Sequence, residues 1–262
     1  AYYTDETSRT VTGYTYSPTG ALNMSSTTIT VSYSEGGVTK TATQAITVTV
    51  ISNTLNSNSW ATIKAVSDAG QGANYWDVGD TKQITINGQV GNMNISNLAI
   101  NVFILGFNHN ASREGSNRIH FKIGKIGNTQ VALCDSQYNN TNSGNGYFNM
   151  NPNNSNSGGW ANCHMRKTIL GSDATPTSPR TNTLLAALPA DLRAVMKPAT
   201  KYSDNTGGGS DTASYVTSTT DLLPLLSEFE YHGARSYANS AEKNYQAQYD
   251  YYRAGNSKVH YK

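Results

Sequence analysis

Charge is scarce in this chain. Only 14% of its 262 residues are Asp, Glu, Lys or Arg, against about 25% in an average soluble domain. Nineteen basic and seventeen acidic residues leave a net charge of +2. That balance excludes charge-driven binding to nucleic acid or to an anionic membrane surface, both of which need a concentrated basic excess. Cysteine is nearly absent. Cys134 and Cys163 do not make a disulfide framework; they can pair, but the composition favours two free, partly buried small residues. No apolar run reaches about eighteen residues, so no membrane-spanning helix is expected. There is no signal-peptide pattern and no initiator Met, and the chain opens at Ala1 inside what reads as a strand, as a piece of a longer polypeptide would. Asn, Ser, Thr and Gly replace the missing charge, giving the polar, uncharged surface common in extracellular and virion β-rich proteins. Aromatics at 10%, seventeen of them Tyr, supply a core and exclude global disorder.

The length alone predicts about two domains, and the texture changes near residue 51. Before it, the pattern is β. Ile29, Val31 and Tyr33 share one face of a strand over 28–33; Ile46, Val48 and Val50 do the same over 45–50, with Glu35-Gly36-Gly37 as the turn between. Arg9 to Tyr16 is a weaker strand, and Ala1 to Thr4 reads as the tail of another, closed by a turn over 5–8. Four strands are about half of the seven that an immunoglobulin-like sandwich builds from about 100 residues. Either upstream strands or another chain must complete it, and upstream strands are the simpler expectation.

These residues resemble a known family. Ala1-Tyr2-Tyr3-Thr4-Asp5, Val11-Thr12-Gly13-Tyr14, the 28–33 strand and the 41–50 segment are similar to the second half of the bacterial Ig-like group 4 domain, a spacer and adhesion module of bacterial surface and phage structural proteins. The resemblance covers residues 1–51 and implies an all-β sandwich incomplete at its N-terminus.

Ser52 to Asn58 reads as a short polar linker. Beyond it, Asn58 or Ser59 can cap a helix presenting Trp60, Ile63 and Val66, with Gly70 past its end. Ile84 and Ile86 alternate into Asn87-Gly88, a strong hairpin signal. Ala99–Phe107 is a buried strand, Ile119, Phe121 and Ile123 mark another, and Val131–Cys134 a third. Asn139 to Gly159 is a low-complexity loop containing Tyr147-Phe148. A helix is expected over 160–170, stopped by Gly171. Asn182 is expected to cap 183–188, and Pro189 to open a helix with Leu192, Val195 and Met196. Ser227-Glu228-Phe229-Glu230 is a capping box, and a last helix over 239–252 would carry Tyr245, Tyr249 and Tyr252 on one stripe.

The second region also resembles a family. The ordered blocks Trp60-Ala61-Thr62-Ile63, Tyr75 to Lys82, Ile104 to His109, Gly158-Gly159-Trp160 with Met165-Arg166, Leu188 to Leu192, Leu225 to Glu230 and Tyr249 to Tyr252 are similar to a domain family of gut bacteria and their phages. Its implied fold is C-type-lectin-like, and its members end in a Trp-Trp-Leu-Arg-Ser-Pro segment, which this sequence does not reach before Lys262. The expected architecture is therefore multidomain: an Ig-like half-sandwich over 1–51, a linker over 52–58, and an α+β lectin-like domain over 59–262 lacking that closing segment. In related phage proteins the closing segment carries the displayed, often diversified, ligand surface, so no ligand-binding residue carries over.

No constellation of residues points to catalysis. Glu228 and Glu230 form a close carboxylate pair, but at i, i+2 they do not face one way on a helix, and capping explains them. His109, His120, His164, His232 and His260 lack metal-site spacing. Cys134 with Cys163-His164 would make a poor zinc set, because sequence neighbours seldom reach one ion. Asp204, Asp211 and Asp221 flank a Gly-rich loop, yet no Asp-x-Asp-x-Asp-Gly series is present for calcium. Thr206-Gly207-Gly208-Gly209-Ser210 lacks the Lys of a phosphate-binding loop. The Tyr stripe could stack on sugars or bases, but core packing explains it better. No catalytic residue, metal ligand or cofactor is assigned. The paired resemblance implies a non-enzymatic phage display protein on the virion surface, a tail or capsid fibre attaching to a host glycan or protein receptor. It would sit among other virion proteins, as a homo-oligomer and by analogy a trimer, without nucleic acid or a membrane span. A bacterial cell-surface adhesin with the same modules is the alternative, and a carbohydrate-active enzyme the third reading.

Overall fold

The structure is a computed structural model that describes residues 1–131, 150–152, 155–208 and 210–260. The chain divides into two compact units, Ala1–Ile51 and Ser52–Lys262. The described residues are β-rich, with three antiparallel sheets and short helices. Among the described residues no helix is long and apolar enough to cross a membrane.

The first unit is one sheet of three strands, β1 (Thr15–Ser17), β2 (Thr28–Glu35) and β3 (Val38–Ala45), in that order. The 28–33 alternation forms β2 as expected, but the 45–50 run is not its partner. Gly36 and Gly37 take positive φ, +57° and +82°, and close a two-residue hairpin. Glu35 therefore pairs with Val38, and β3 starts at once. The ladder reaches the start of β2 by Ala45, and the Ile46 N–H donates to Thr27 O at 2.9 Å. The segment over 46–50 runs past the end of its partner. The Arg9–Tyr16 expectation contracts to the short β1, and Ala1–Thr4 to a single bridge between Tyr2 and Ser8. No residue of this unit is buried; Ile29, Val31 and Tyr33 are half-buried and β3 is exposed throughout.

The second unit begins with the expected linker, which is instead built into the fold. Leu55 is buried, and the Asn58 amide donates to the carbonyls of Ser52 and Thr54 at 2.8 and 3.0 Å. Helix α1 (Trp60–Asp68) follows, with Ser59 Oγ accepting from Thr62 N at 3.0 Å and Trp60, Ile63 and Val66 buried. Strands β4 (Thr81–Val90) and β5 (Met93–Phe107), the short helix α2 (Ala111–Glu114), then β6 (Ile119–Ile126) and β7 (Thr129–Gln130) give an antiparallel sheet of order β4-β5-β6-β7. Asn87-Gly88 is not its hairpin. Gly88, at φ +139°, forms a bulge where pairing steps from Ile86–Leu98 to Gly88–Ile95. A bulge exploits the same glycine freedom that a tight turn does, and β4 continues to Val90.

The helix expected over 160–170 breaks into α3 (Gly159–Asn162) and a π-helical turn, Met165–Leu170, because Cys163 is extended at φ −68°, ψ 152°. The turn stops on Gly171 as expected. Thr183, not Asn182, caps α4 (Leu184–Ala187), its Oγ1 accepting from Ala186 N at 3.2 Å; Asn182 sits at φ +59°. Pro189 precedes α5 (Ala190–Arg193). A second, two-stranded sheet pairs β8 (Ala199–Asp204) with β9 (Val216–Asp221), and α6 (Glu228–His232) carries the full capping box. The single helix expected over 239–252 is a 3-10 turn, Ser240–Asn244, an extended stretch and α7 (Asp250–Arg253). Tyr249 N donates to Glu230 O at 3.1 Å, a tertiary bond that no continuous helix could make. Phe103 and Leu105 of β5 pack with Tyr249, Tyr251 and Tyr252 in the core.

Candidate functional site

The polar centre of the second unit is a buried ion cluster. Lys201 enters from β8, and its Nζ donates to Glu114 Oε1 at 2.8 Å, Glu230 Oε1 at 2.6 Å and the Tyr249 hydroxyl at 3.0 Å. All four side chains are buried. Glu230 does two jobs, since its Oε2 accepts from Ser227 N at 2.9 Å as the closing arm of the capping box. Two imidazoles complete the cluster. The His109 ring stacks on Tyr249 with centroids 3.6 Å apart, and His120 Nδ1 lies 3.3 Å from the Tyr249 hydroxyl and 3.7 Å from Glu114 Oε2. Burial, seconded by the Lys201 charge, lowers His109 to about 4 and holds His120 far below its ordinary value, so both rings are neutral at pH 7. Burial pushes Glu114 up against the pull of Lys201. Burial works against the Lys201 ammonium too, but Glu230, Tyr249 and Glu114 outweigh it and keep the pKa above the usual lysine value.

His109, Glu114 and Glu230 each offer a ligand atom within 4.8 Å of the others, a set that a divalent cation could use. The Lys201 ammonium already bridges the two carboxylates, and its charge opposes a metal at the same point. The chemistry of this donor set is that of a charge-compensated strut between α2, β8, α6 and the segment before α7. Glu114 Oε2 and the Nε2 atoms of both histidines have no hydrogen-bond partner among the described residues.

Away from this cluster, a buried aspartate is fully occupied. Asp221, at the end of β9, accepts from Arg166 Nε at 2.7 Å and Ser172 Oγ at 3.0 Å on one oxygen, and from Trp160 Nε1 at 3.0 Å and Thr219 Oγ1 on the other. It ties α3 and the π-helical turn to β9.

A cavity of about 840 Å³ opens in the same unit. Trp60, Ile63, Phe121, Leu184, Leu188 and Leu222 contribute to an apolar wall, and Lys122 of β6 stands in it. Lys122 Nζ donates to the hydroxyls of Tyr231 and Tyr252, the latter at 2.9 Å, and touches His260 Nε2. Burial, with Lys125 nearby, lowers its pKa to about 7.

The residues weighed in the sequence are scattered. Glu228 accepts from the backbone N–H groups of Ser236, Tyr237 and Ala238 at 2.7–3.0 Å, while Glu230 turns inward to Lys201. Asp204 is held by Thr206 and Asn239, and Asp211 by the Nη1 and Nη2 atoms of Arg235, each at 2.9 Å; neither joins Asp221. Cys163 is buried and free, its Sγ accepting from Arg166 N at 3.4 Å. Cys134, Tyr147, Phe148, Gly209 and most of the 139–159 loop lie outside the described residues. Of the Tyr stripe, Tyr245 stacks on Tyr202 at 4.7 Å, Tyr249 on His109, and Tyr252 packs on Tyr231 at 4.6 Å. Lys201, Glu114 and Lys122 have no sequence motif. For Lys122, a lysine between the apolar Phe121 and Ile123 of Ile119–Ile126 was the available signal.

Neither a family model, nor a curated protein, nor a solved structure matches the chain.

Proposed function

We propose that this chain is a non-enzymatic attachment protein of a bacteriophage particle, in which an Ig-like spacer carries a lectin-like recognition unit that binds a glycan or protein on the host cell surface. The observation that carries the reading is the state of the buried acids. Glu114 and Glu230 are buried and each bonded through Oε1 to Lys201, and Asp221 accepts four hydrogen bonds. A hydrolase needs a carboxylate or a nucleophile–base pair open to substrate. Among the described residues the acid lining the large cavity is Asp221, which Arg166 holds. The division at residues 51 and 52 coincides with the border between the two family resemblances, and the uncharged polar composition suits an extracellular particle. Recognition would then rest on a rigid scaffold whose internal ion pairs hold its loops in place.

The test is retention of the fluorescently labelled chain on intact cells of gut bacteria and on their isolated surface polysaccharides. Saturable retention lost after periodate identifies a glycan receptor, and loss after protease a protein receptor. Absence of saturable retention across the panel contradicts attachment by this chain.

A further inference from the structure

The cavity beside Lys122 has a chemistry that attachment to a cell-surface glycan does not use. We propose that it binds a single-chain amphiphile with one anionic head, a long-chain carboxylate, with the head at Lys122 and the hydrocarbon body along the apolar wall.

Size, lining and charge converge on this ligand. At about 840 Å³ the cavity lies within the range of small-molecule sites, about 300–1,000 Å³. Its wall is dominated by aliphatic and aromatic side chains, so a free sugar, with a hydroxyl on almost every carbon, would leave most of its polar groups unmatched. The charges that line it do not cancel. Lys64 and Lys197 pair with Asp68, and Lys201 with Glu114 and Glu230. Asp221 is taken by Arg166. Lys122 and Arg118 remain; both line the cavity, and neither has a carboxylate within 4.0 Å among the described residues. Among the described residues the hydrogen-bonding and ring contacts of the Lys122 Nζ are neutral: two phenol hydroxyls, one imidazole and the faces of the Tyr231 and Tyr252 rings, 4.7 and 5.6 Å away. These contacts occupy its three N–H donors, and an anionic head that replaces one of the neutral acceptors binds this desolvated amine better, because charge-assisted hydrogen bonds are the strong ones and low polarity strengthens them. The lowered pKa of Lys122 to about 7 fits an amine that lacks its counter-charge. A cationic or wholly apolar ligand would leave that deficit in place.

The experiment uses the whole chain and cis-parinaric acid, a fluorescent long-chain carboxylate, with palmitate and hexadecanol as competitors. The expected result is one saturable site from which palmitate displaces the probe about tenfold or more better than hexadecanol, the preference that a charge-assisted head contact supplies. Lys122→Met should weaken the probe by a similar factor and erase the preference for the acid, and Lys122→Arg should keep it. Equal displacement by acid and alcohol, unchanged binding in a folded Lys122→Met variant, or no saturable binding would each overturn the proposal. If Lys122→Met fails to fold by near-ultraviolet circular dichroism, the acid-to-alcohol ratio on the unaltered chain decides. The result is independent of cell attachment: a chain that retains on cells but ignores palmitate refutes this site and leaves the attachment reading standing.

Discussion

Lys201 balances two buried carboxylates, and removing it would leave both without their cation. Breaking a buried ion pair from one side costs about 3–5 kcal/mol, much of it the penalty of the uncompensated partner. Lys201→Met is therefore expected to lower the stability of the second unit by that amount in urea unfolding at pH 7. Combining it with Glu114→Gln and Glu230→Gln should restore part of the loss, because the stranded charges go with the lysine. The imidazoles make a pH prediction. His109 titrates near 6.5 when unfolded and at about 4 when folded, so between those values the unfolded chain binds more protons. Its stabilising share is complete above pH 6.5 and is lost as pH falls through 4. Glu114, raised by burial, acts in the opposite sense, gaining stability as pH falls below its folded value. Comparison with His109→Gln separates the two: the variant should lose less stability than the unaltered chain between pH 6.5 and 4.5. At this scale the sequence disclosed little. Lys201 meets Glu114 across 87 positions and Glu230 across 29, and no local pattern encodes such pairings.

Elements were legible where their signals are local. Trp60, Ile63 and Val66 repeat at helical spacing behind a serine cap, and Ile119, Phe121 and Ile123 alternate; both segments fold accordingly. The capping box at Ser227 is present with both of its bonds, and Ser227→Ala should cost about 1 kcal/mol, read as a shift in the urea midpoint. Elements were misread where a distant partner decides. Asn87-Gly88 has a turn's composition but sits opposite β5, which turns it into a bulge. The 239–252 segment has helical tyrosine spacing, but Tyr249 bonds to the α6 carbonyl of Glu230 instead. Gly159, at the head of α3, is a tight test of this packing. It holds φ +49°, and a Cβ there would lie 2.2 Å from Asp204 O and 2.8 Å from Asn205 Cα, backbone atoms that cannot step aside. Gly159→Ala should destabilise the second unit by about 2 kcal/mol or more, whereas Gly127→Ala, also at positive φ (+57°) but with open space around it, should pay only for its backbone conformation, about 1 kcal/mol.

Across the whole chain the two units differ in kind. The buried hydrophobic residues begin at Leu55, and the first unit presents a three-stranded sheet whose best apolar stripe is only half-buried. Protection of backbone amides follows burial and cooperative packing. Hydrogen exchange at pH 7 should therefore be fast in β2 and β3 and orders of magnitude slower in β4, β5 and β6; equal protection would mean that the first unit has a core the sheet does not display. The composition of the chain pointed to an uncharged, β-rich exterior, and the border near residue 51 was visible as a change in texture. The packing of Ser52–Asn58 into the second unit was not, because one buried leucine among polar residues leaves no periodic trace. The claim on which the functional account turns is that the second unit recognises a surface without transforming it. The direct measurement is to incubate the purified chain with isolated surface polysaccharide and surface protein of bound cells, and follow the bound fraction and the released fragments by mass spectrometry over the same hours. The account predicts saturable, reversible binding with no new fragment at any chain concentration. Fragments accumulating in proportion to the chain, and abolished by substitution of a cavity-lining residue such as Lys122, would contradict it.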